Sequence, residues 1–216
     1  YREVHQKAAV LYRKQARFKL ITTGKISQKN LLFEEQHLER LRKASRYFAF
    51  PFDSENLKQK IEEECQACDD NQDYRLRISL SKSGEIEVSR QILTPLSPGF
   101  CQAQLCLQEA NLQQAFTYFK TTHRPHLNLG EQERIYHNKS GELLETSIGN
   151  LILKMNGKLY TPPIQLGILP GIYRQHLLER GQVEEQVLTL EDLTQAEAIY
   201  GCNAVRGLYE LILQEN

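Results

Sequence analysis

The sequence predicts a mixed α/β protein large enough for two domains. Residues 34–48 repeat apolar side chains at helical spacing, residues 74–80 alternate apolar and polar side chains, and the second half alternates short apolar segments with turns. A chain of 216 residues can bury one large core or two smaller ones. We expect an N-terminal arm at residues 1–17, a small α/β domain at 18–110 and a larger domain at 111–216.

The first elements are a strand and two helices. Residues 18–23 are rich in β-branched and aromatic side chains, which predicts a strand, with a turn at Gly24 and Lys25. The helix at 34–48 buries the face that carries Leu38 and Leu41. A second helix is predicted from Asp53 or Ser54, either of which can cap it, to about residue 68.

A hairpin follows these helices. Residues 74–80 alternate strictly, residues 82–85 contain a glycine and form a turn, and residues 86–88 begin the return strand. Arg75 and Arg77 share the polar face, which we interpret as a solvated face rather than an anion site. One more strand is predicted at residues 101–107.

The second half is predicted to be mostly strands and turns. Residues 112–119 suggest a buried strand that ends at Lys120, and Asn156-Gly157 suggests a hairpin turn. Thr189 is expected to cap a helix, with Asp192 in the reciprocal capping position. The remaining predicted elements are strands at 133–137, 151–155, 158–160, 183–188, 199–204 and 208–213, and a helix at 173–180.

Composition limits the possible partners and compartments. Lys plus Arg and Asp plus Glu both number 27, so no bulk attraction to nucleic acid or to a membrane is expected. No apolar run approaches 18 residues, and the first residues do not resemble a signal peptide. Five cysteines, an odd number, favour a reducing, cytoplasmic compartment. Cys65-x-x-Cys68 has no second pair and the histidines lack ligand spacing, so no metal site is expected.

Two short segments contain the residues with the clearest chemical potential: Phe119-Lys-Thr-Thr-His-Arg124 and Glu145-Thr-Ser-Ile-Gly-Asn150. A lysine becomes a useful nucleophile when a dry or cationic pocket lowers its pKa. Lys120 follows an apolar segment, and Arg124 lies four residues on, where it could repel charge on the lysine or bind a substrate carboxylate.

The residues from Glu145 onward resemble the signature of the class IV aminotransferases. The sequence E-T-S-I-G-N-L-I-L-K-M-N-G-K-L-Y-T-P-P-I-Q-L-G-I-L-P-G-I-Y-R follows the family order of Glu, a small residue, Asn, a strand, a turn, Leu-x-Thr-Pro, and Leu-x-Gly-Ile-x-Arg. This resemblance implies the two-domain fold type IV, similar to D-amino acid aminotransferase, with pyridoxal 5'-phosphate (PLP) in an interdomain cleft.

The resemblance also implies roles for individual residues. Lys120 would hold PLP covalently and serve as the catalytic acid and base, and Glu145 would face the ring nitrogen. The phosphate contacts would come from Arg40, from the N–H groups of Ile172 and Tyr173, and from Asn203 and Ala204. Asn150, Leu169 and Gly171 fill further cofactor-binding positions, and Thr22 and Arg124 lie at substrate positions.

Within the family, the chain is most similar to 4-amino-4-deoxychorismate lyase-like proteins. Matching segments are Lys120-Thr-Thr-x-Arg124, Tyr160-Thr-Pro-Pro163, Asn203-Ala-Val-Arg-Gly207 and His37-Leu-Glu-Arg-Leu41. The resemblance implies a folate-pathway lyase that converts 4-amino-4-deoxychorismate to 4-aminobenzoate and pyruvate.

Two positions depart from the family pattern, and two alternative functions stay open. Thr22 replaces the Glu of the lyase-like relatives, and Tyr173 stands where many members have Thr. The alternatives are a branched-chain or D-amino acid aminotransferase and a non-catalytic family member. By resemblance we expect a homodimer that binds a small amino substrate, with an aminodeoxychorismate synthase component as a candidate partner.

Overall fold

The structure is a computed structural model that describes residues 18–108, 115–127, 130 and 132–214. The predicted N-terminal arm lies outside the described residues. Contacts divide the described chain into two compact units: residues up to Leu93 with Phe119–Arg124, and Thr94–Tyr118 with the residues from Pro125 onward. The domain boundary expected after residue 110 stays a prediction. The contact-defined units divide the chain differently, because residues 94–108 belong to the second unit and residues 120–122 pair with residues 19–21 of the first.

The first unit contains a four-stranded antiparallel sheet in the order β2-β1-β3-β4. Its strands are β1 (Leu20–Ser27), β2 (Asn30–Leu31), β3 (Tyr74–Leu80) and β4 (Ile86–Ile92). Because alternate side chains of a strand share a face, Leu76, Ile78 and Leu80 line one face of β3, and all three are buried. The predicted hairpin of β3 and β4 is confirmed.

Two helices in the first unit supply apolar faces. Helix α1 (Glu34–Phe48) buries Leu38, Leu41 and Phe48, which recur at helical spacing, so the predicted helix is confirmed. Helix α2 (Ser54–Gln66) begins after Asp53, whose carboxylate accepts hydrogen bonds from the N–H groups of Glu55 and Asn56, each at 3.1 Å.

The turn predicted at Gly24 and Lys25 is wrong. Strand β1 continues through both residues to Ser27, and the chain reverses at Gln28 and Lys29, whose φ angles are 48° and 58°. Gly24 is needed for close packing instead, because a Cβ atom there would lie 2.6 Å from Nε2 of His37.

The second unit contains an eight-stranded sheet that closes on itself. The strands are β5 (Gln102–Leu107), β6 (Arg134–His137), β7 (Leu143–Thr146), β8 (Asn150–Met155), β9 (Lys158–Thr161), β10 (Glu184–Glu185), β11 (Ala198–Asn203) and β12 (Gly207–Leu213). Their order is β10-β9-β8-β11-β12-β5-β6-β7, and β7 pairs again with β8. Six strands therefore form a closed, barrel-like ring, which β9 and β10 extend.

Three helices belong to the second unit: α3 (Ala115–Tyr118), α4 (Ile172–Glu179) and α5 (Leu190–Gln195). Thr189 caps α5 and accepts from the N–H of Asp192, whose carboxylate accepts from the N–H of Thr189, which confirms the predicted capping box. The hairpin turn at Asn156 and Gly157 is also confirmed, and both residues have positive φ.

Two predicted strands differ in the structure. The described part of 112–119 contains helix α3 rather than a buried strand, and its first three residues lie outside the described range. Only Glu184 and Glu185 of the strand predicted at 183–188 pair with another strand, β9. In the described part of the chain, no helix combines the length and apolar character needed to cross a membrane.

Candidate functional site

Lys120 is held in the first unit by main-chain pairing with the start of β1. The N–H of Ile21 donates to the carbonyl oxygen of Lys120 at 2.9 Å, and the N–H of Thr122 donates to that of Lys19 at 2.9 Å. The neighbouring Phe119 ring packs on Tyr47 of α1, with centroids 4.6 Å apart. The main-chain hydrogen bonds and the packing of Phe119 therefore both fix the position of Lys120.

The surroundings of Lys120 are strongly cationic. Burial lowers the pKa of the Lys120 ammonium well below its ordinary value, and the positive charges of Arg40, Arg124, Arg75 and Arg77 lower it further. Burial, followed by the charge of Arg124, also lowers the pKa of Arg40 to about 10. The lysine thus has the property that the sequence suggested: an amine that loses its proton far more readily than an exposed one.

His37 lies on the buried face of α1, where the charges of Arg40 and Lys120 act on it. Its Nδ1 lies 2.6 Å from the hydroxyl oxygen of Thr22, and both side chains are buried. Burial lowers the pKa of His37 to about 3, assisted by the charges of Arg40 and Lys120. The imidazole is therefore neutral at physiological pH.

Thr22 does not present its side chain to an accessible surface. It is 0% exposed, and its hydroxyl is hydrogen-bonded to His37. Its predicted substrate role stays a prediction, as does that of the partly exposed Arg124.

In the second unit, Glu145 and Asn150 face each other across the junction of β7 and β8. Both side chains are buried, at 2% exposure. The Asn150 amide Nδ2 donates to the carbonyl oxygen of Leu169 at 2.8 Å. Its Oδ1 faces Gly171, where an added Cβ would lie only 1.8 Å away. Asn150 thereby ties the Glu145 strand pair to the start of α4.

The first turn of α4 is suited to an anion. Gly171 is the N-cap residue and supplies no side-chain cap, and Ile172 and Tyr173 are the first helical residues. First-turn N–H groups have no acceptor within their own helix, and the positive end of the helix dipole favours a phosphate. The phosphate position at this helix start thus has a physical basis and stays a prediction.

Asn203 lies at the end of β11, beside Ala204. Its Oδ1 accepts hydrogen bonds from the N–H groups of Val205 and Arg206, each at 2.9 Å, and its Nδ2 donates to the carbonyl oxygen of Ile148. Because the side chain shapes this turn, the phosphate contact expected here would come from the main chain.

Arg174, the last residue of the family signature, is buried and joins neighbouring elements of the second unit. It is 2% exposed, and its guanidinium donates to the carbonyl oxygen of Pro162 at 2.8 Å and to the carboxylate of Glu185. It therefore fixes α4 to β10 and to the end of β9.

Sequence reasoning missed two features of these sites. Arg75 and Arg77, interpreted as a solvated face, are only partly exposed and act electrostatically on Lys120. Glu133 received no role, yet it is 0% exposed and accepts a hydrogen bond from Tyr209 at 2.9 Å. Strand periodicity could have identified Glu133, because it shares a face with the buried Ile135.

The chain belongs to the class IV aminotransferases. The model of this family, described as "Amino-transferase class IV", matches residues 19–211. An uncharacterized protein of Haemophilus influenzae is 39% identical over 70 residues, which are 32% of this chain and 36% of that protein; the match thus spans about a third of that relative. Aminodeoxychorismate lyase of Saccharomyces cerevisiae is 26% identical over 252 residues, covering 84% of this chain and 67% of the relative.

Solved structures agree with the fold expected from the sequence. The PLP-bound form of a hypothetical aminotransferase from Mycobacterium tuberculosis superposes with a TM-score of 0.74 at 18% identity, covering 91% of this chain and 81% of that chain. The predicted α/β fold of the type IV aminotransferases is therefore confirmed. The family is one of enzymes.

Proposed function

We propose that this chain binds PLP and acts as a lyase that converts 4-amino-4-deoxychorismate to 4-aminobenzoate and pyruvate. Membership of the class IV aminotransferases supports the cofactor, and similarity to the yeast lyase supports the reaction. The chemistry of the side chains in the two units supports the cofactor and the reaction further.

The residues present fit the cofactor. PLP requires an amine that is readily deprotonated, an acidic partner for its ring nitrogen, and a seat for its phosphate. Lys120 has a strongly lowered pKa, Glu145 is a buried carboxyl group, and Gly171 with Asn150 forms a close-packed helix start. In this proposal, Arg40 and the N–H groups of Ile172 and Tyr173 hold the phosphate.

The observation that carries the proposal is the set of four arginines around Lys120. Arg40, Arg75, Arg77 and Arg124 all lower the pKa of this lysine, which places four positive charges near one amine. 4-Amino-4-deoxychorismate carries two carboxylates, one on its ring and one on its enolpyruvyl group, and arginine is well suited to bind carboxylates.

The proposed reaction needs one proton to be moved. Bound PLP supplies an electron sink, maintained by an acidic group at its ring nitrogen. Lys120, neutral once released, accepts the proton from the ring carbon that bears the amino group. The bond between the ring and the enolpyruvyl oxygen then breaks, and pyruvate leaves with a returned proton. The remaining ring is aromatic, which makes the overall step favourable.

The first test is cofactor capture followed by product analysis. Purified protein is mixed with PLP, reduced with borohydride and mapped by mass spectrometry, and a phosphopyridoxyl adduct is expected on Lys120. Lys120→Ala should give no adduct, whereas Lys25→Ala, which loses a salt bridge to Asp73 in the same unit, should react normally. If the wild-type protein shows neither a PLP absorbance band nor a phosphopyridoxyl adduct, even with excess PLP, the proposal of PLP binding is refuted.

The second test separates the lyase from an aminotransferase, the function for which the family model is named. With 4-amino-4-deoxychorismate, the lyase releases 4-aminobenzoate and pyruvate in equal amounts and needs no acceptor. An aminotransferase instead requires an α-keto acid and forms a new amino acid from it. Formation of that amino acid from a branched-chain or D-amino acid donor, without release of 4-aminobenzoate, would overturn the lyase assignment. Assembly as a homodimer, or with an aminodeoxychorismate synthase component, stays a prediction.

A further inference from the structure

Glu133, the residue immediately before β6, is a buried carboxyl group to which neither the family signature nor the proposed reaction gives a role. It is 0% exposed. The Tyr209 hydroxyl donates to Oε2 at 2.9 Å, and the main-chain N–H of Ile148 donates to Oε1 at 3.2 Å. Both carboxyl oxygens therefore accept hydrogen bonds from groups within the second unit.

These hydrogen bonds hold the short turn that joins β7 to β8. Within the turn, the N–H of Ser147 donates to the carbonyl oxygen of Arg134 at 3.1 Å, and that of Gly149 donates to the Thr146 hydroxyl at 3.1 Å. Glu133 accepts the N–H of the residue between them, Ile148. Each N–H of the turn thus has its own acceptor, and Glu133 is the only one of the three acceptors that is a carboxyl group.

Tyr209 closes the other side of the same turn. A Cβ atom added to Gly149 would lie 3.0 Å from the Tyr209 hydroxyl and 2.5 Å from the carbonyl oxygen of Cys202. Burial, followed by the charge of Glu133, raises the pKa of Tyr209 well above its ordinary value, so the phenol keeps the proton that it donates. Burial also raises the pKa of Glu133. The turn is confined by packing as well as by hydrogen bonds.

The turn connects two residues whose positions matter for the cofactor. Glu145 precedes it on β7, Asn150 begins β8 after it, and the two are paired directly across the strands. Asn150 in turn contacts the start of α4 through Leu169 and Gly171. A shift of this turn would therefore move the carboxyl group expected at the ring nitrogen and the helix start expected at the phosphate together.

We propose that Glu133, with Tyr209, is a positioning residue that sets the β7–β8 turn and thereby aligns Glu145 and Asn150 for PLP. The inference rests on the proposed cofactor, but it is independent of whether the chain is a lyase or an aminotransferase. It differs from a purely structural role in one respect: loss of Glu133 should alter the state of bound PLP, and not only the stability of the protein.

The test compares four variants for PLP affinity, for the pH at which the visible absorbance band changes, and for thermal stability. Glu133→Ala removes both acceptors and should weaken PLP binding on the order of tenfold or more, the size of effect seen at metal sites when a residue that orients a ligand is lost. It should also shift the pH midpoint of the band, because Glu145 no longer meets the ring nitrogen correctly. Tyr209→Phe removes one hydrogen bond and should change both properties in the same direction by less.

Glu133→Gln should restore most of the affinity, because one amide oxygen can still accept the Ile148 N–H while the amide N–H₂ donates to the Tyr209 oxygen. The matched control is Leu211→Ala, which truncates a buried side chain two residues from Tyr209 on the same strand. It should lower thermal stability while leaving PLP affinity and the band unchanged.

The inference fails if Glu133→Ala loses stability like Leu211→Ala but binds PLP with wild-type affinity and an unchanged band. Should Glu133→Ala not fold, Tyr209→Phe decides by the same criteria. Failure of the proposed function is recognised separately, because in that case the wild-type protein itself shows no PLP band.

Discussion

The hydroxyl oxygen of Thr22 lies 2.6 Å from Nδ1 of His37, and neither side chain is accessible to solvent. This hydrogen bond joins β1, whose start pairs with the Lys120 segment, to α1, which carries Arg40. It therefore connects the two elements that place the Lys120 amine and Arg40, the expected phosphate ligand. The neutral state of His37 is part of the arrangement, because a positive imidazole would be repelled by the charge of Arg40.

The lowered pKa of His37 predicts that the protein becomes less stable as the pH falls. Its pKa is lowered to about 3 in the folded protein, from an ordinary value near 6.5, so between these values the unfolded chain binds more protons. Stability contributed by the neutral imidazole is present above pH 6.5 and is lost as the pH falls towards 3. The slope is at most roughly 1.4 kcal/mol per pH unit.

Urea unfolding between pH 7 and pH 4.5 checks this expectation. His37→Gln should flatten the dependence relative to wild type, whereas Thr22→Val should leave it steep, because burial is the main cause of the lowered pKa. Equal slopes for wild type and His37→Gln would show that His37 does not govern the acid sensitivity.

Replacing Arg40 is expected to weaken cofactor binding through the phosphate group alone. Its pKa of about 10 keeps the guanidinium charged at neutral pH. Charge-assisted hydrogen bonds contribute about 1.5–3 kcal/mol each, so Arg40→Met should lower the affinity for PLP on the order of ten- to a hundredfold. Pyridoxal, which lacks the phosphate, should bind wild type and variant alike in an absorbance titration.

The control for Arg40 is Arg42→Met, two residues along the same helix. Arg42 pairs with Glu39 at 2.6 Å on the helix surface and should affect neither ligand. A parallel loss of PLP and pyridoxal affinity in Arg40→Met would show that Arg40 supports the fold of the site rather than the phosphate.

Local sequence patterns predicted most elements because their signals are local. The buried stripe of α1, the alternation of β3, the Thr189–Asp192 capping box and the Asn156-Gly157 turn each lie within a few residues. Gly24 shows where such reasoning fails. A glycine followed by a lysine resembles a turn, but the reason for this glycine is the His37 ring, 13 residues away.

The candidate site was predictable only where a motif spanned it. The segment from Glu145 to Arg174 contains Asn150 and Gly171, and the structure brings those two into contact. Glu133 and Tyr209 are 76 residues apart, and their hydrogen bond depends on the pairing of β12, β5 and β6. No local spacing encodes that relationship. The cluster of Arg75 and Arg77 with Lys120 was missed for the same reason.

Replacing Arg174 is expected to lower the stability of the protein rather than its binding of PLP. Arg174→Met removes the donor to the Pro162 carbonyl and the partner of Glu185. Breaking a fully buried pair costs about 3–5 kcal/mol, but Glu185 is 40% exposed and can be hydrated, so we expect roughly 1–3 kcal/mol. Urea unfolding measures this loss, and the exposed Arg180→Met at the end of the same helix is the control. A stable variant that fails to bind PLP would instead place Arg174 at the cofactor.

Gly171 predicts a combined loss of packing and of phosphate binding. A methyl group there would lie 1.8 Å from Oδ1 of Asn150, far inside van der Waals contact, so either the amide or the helix start must move. Overpacking of this kind costs about 1–3 kcal/mol. Because Asn150 also donates to the Leu169 carbonyl, its displacement would shift the chain that leads into α4. Gly171→Ala should therefore lower the urea midpoint and weaken the binding of PLP more than that of pyridoxal.

Gly99→Ala is the matched control, since a Cβ atom at Gly99 would have no neighbour within 4 Å. The stability of this variant should stay within roughly 0.5 kcal/mol of wild type. If Gly171→Ala binds PLP and pyridoxal with unchanged affinities despite its lower stability, the start of α4 is not the phosphate seat.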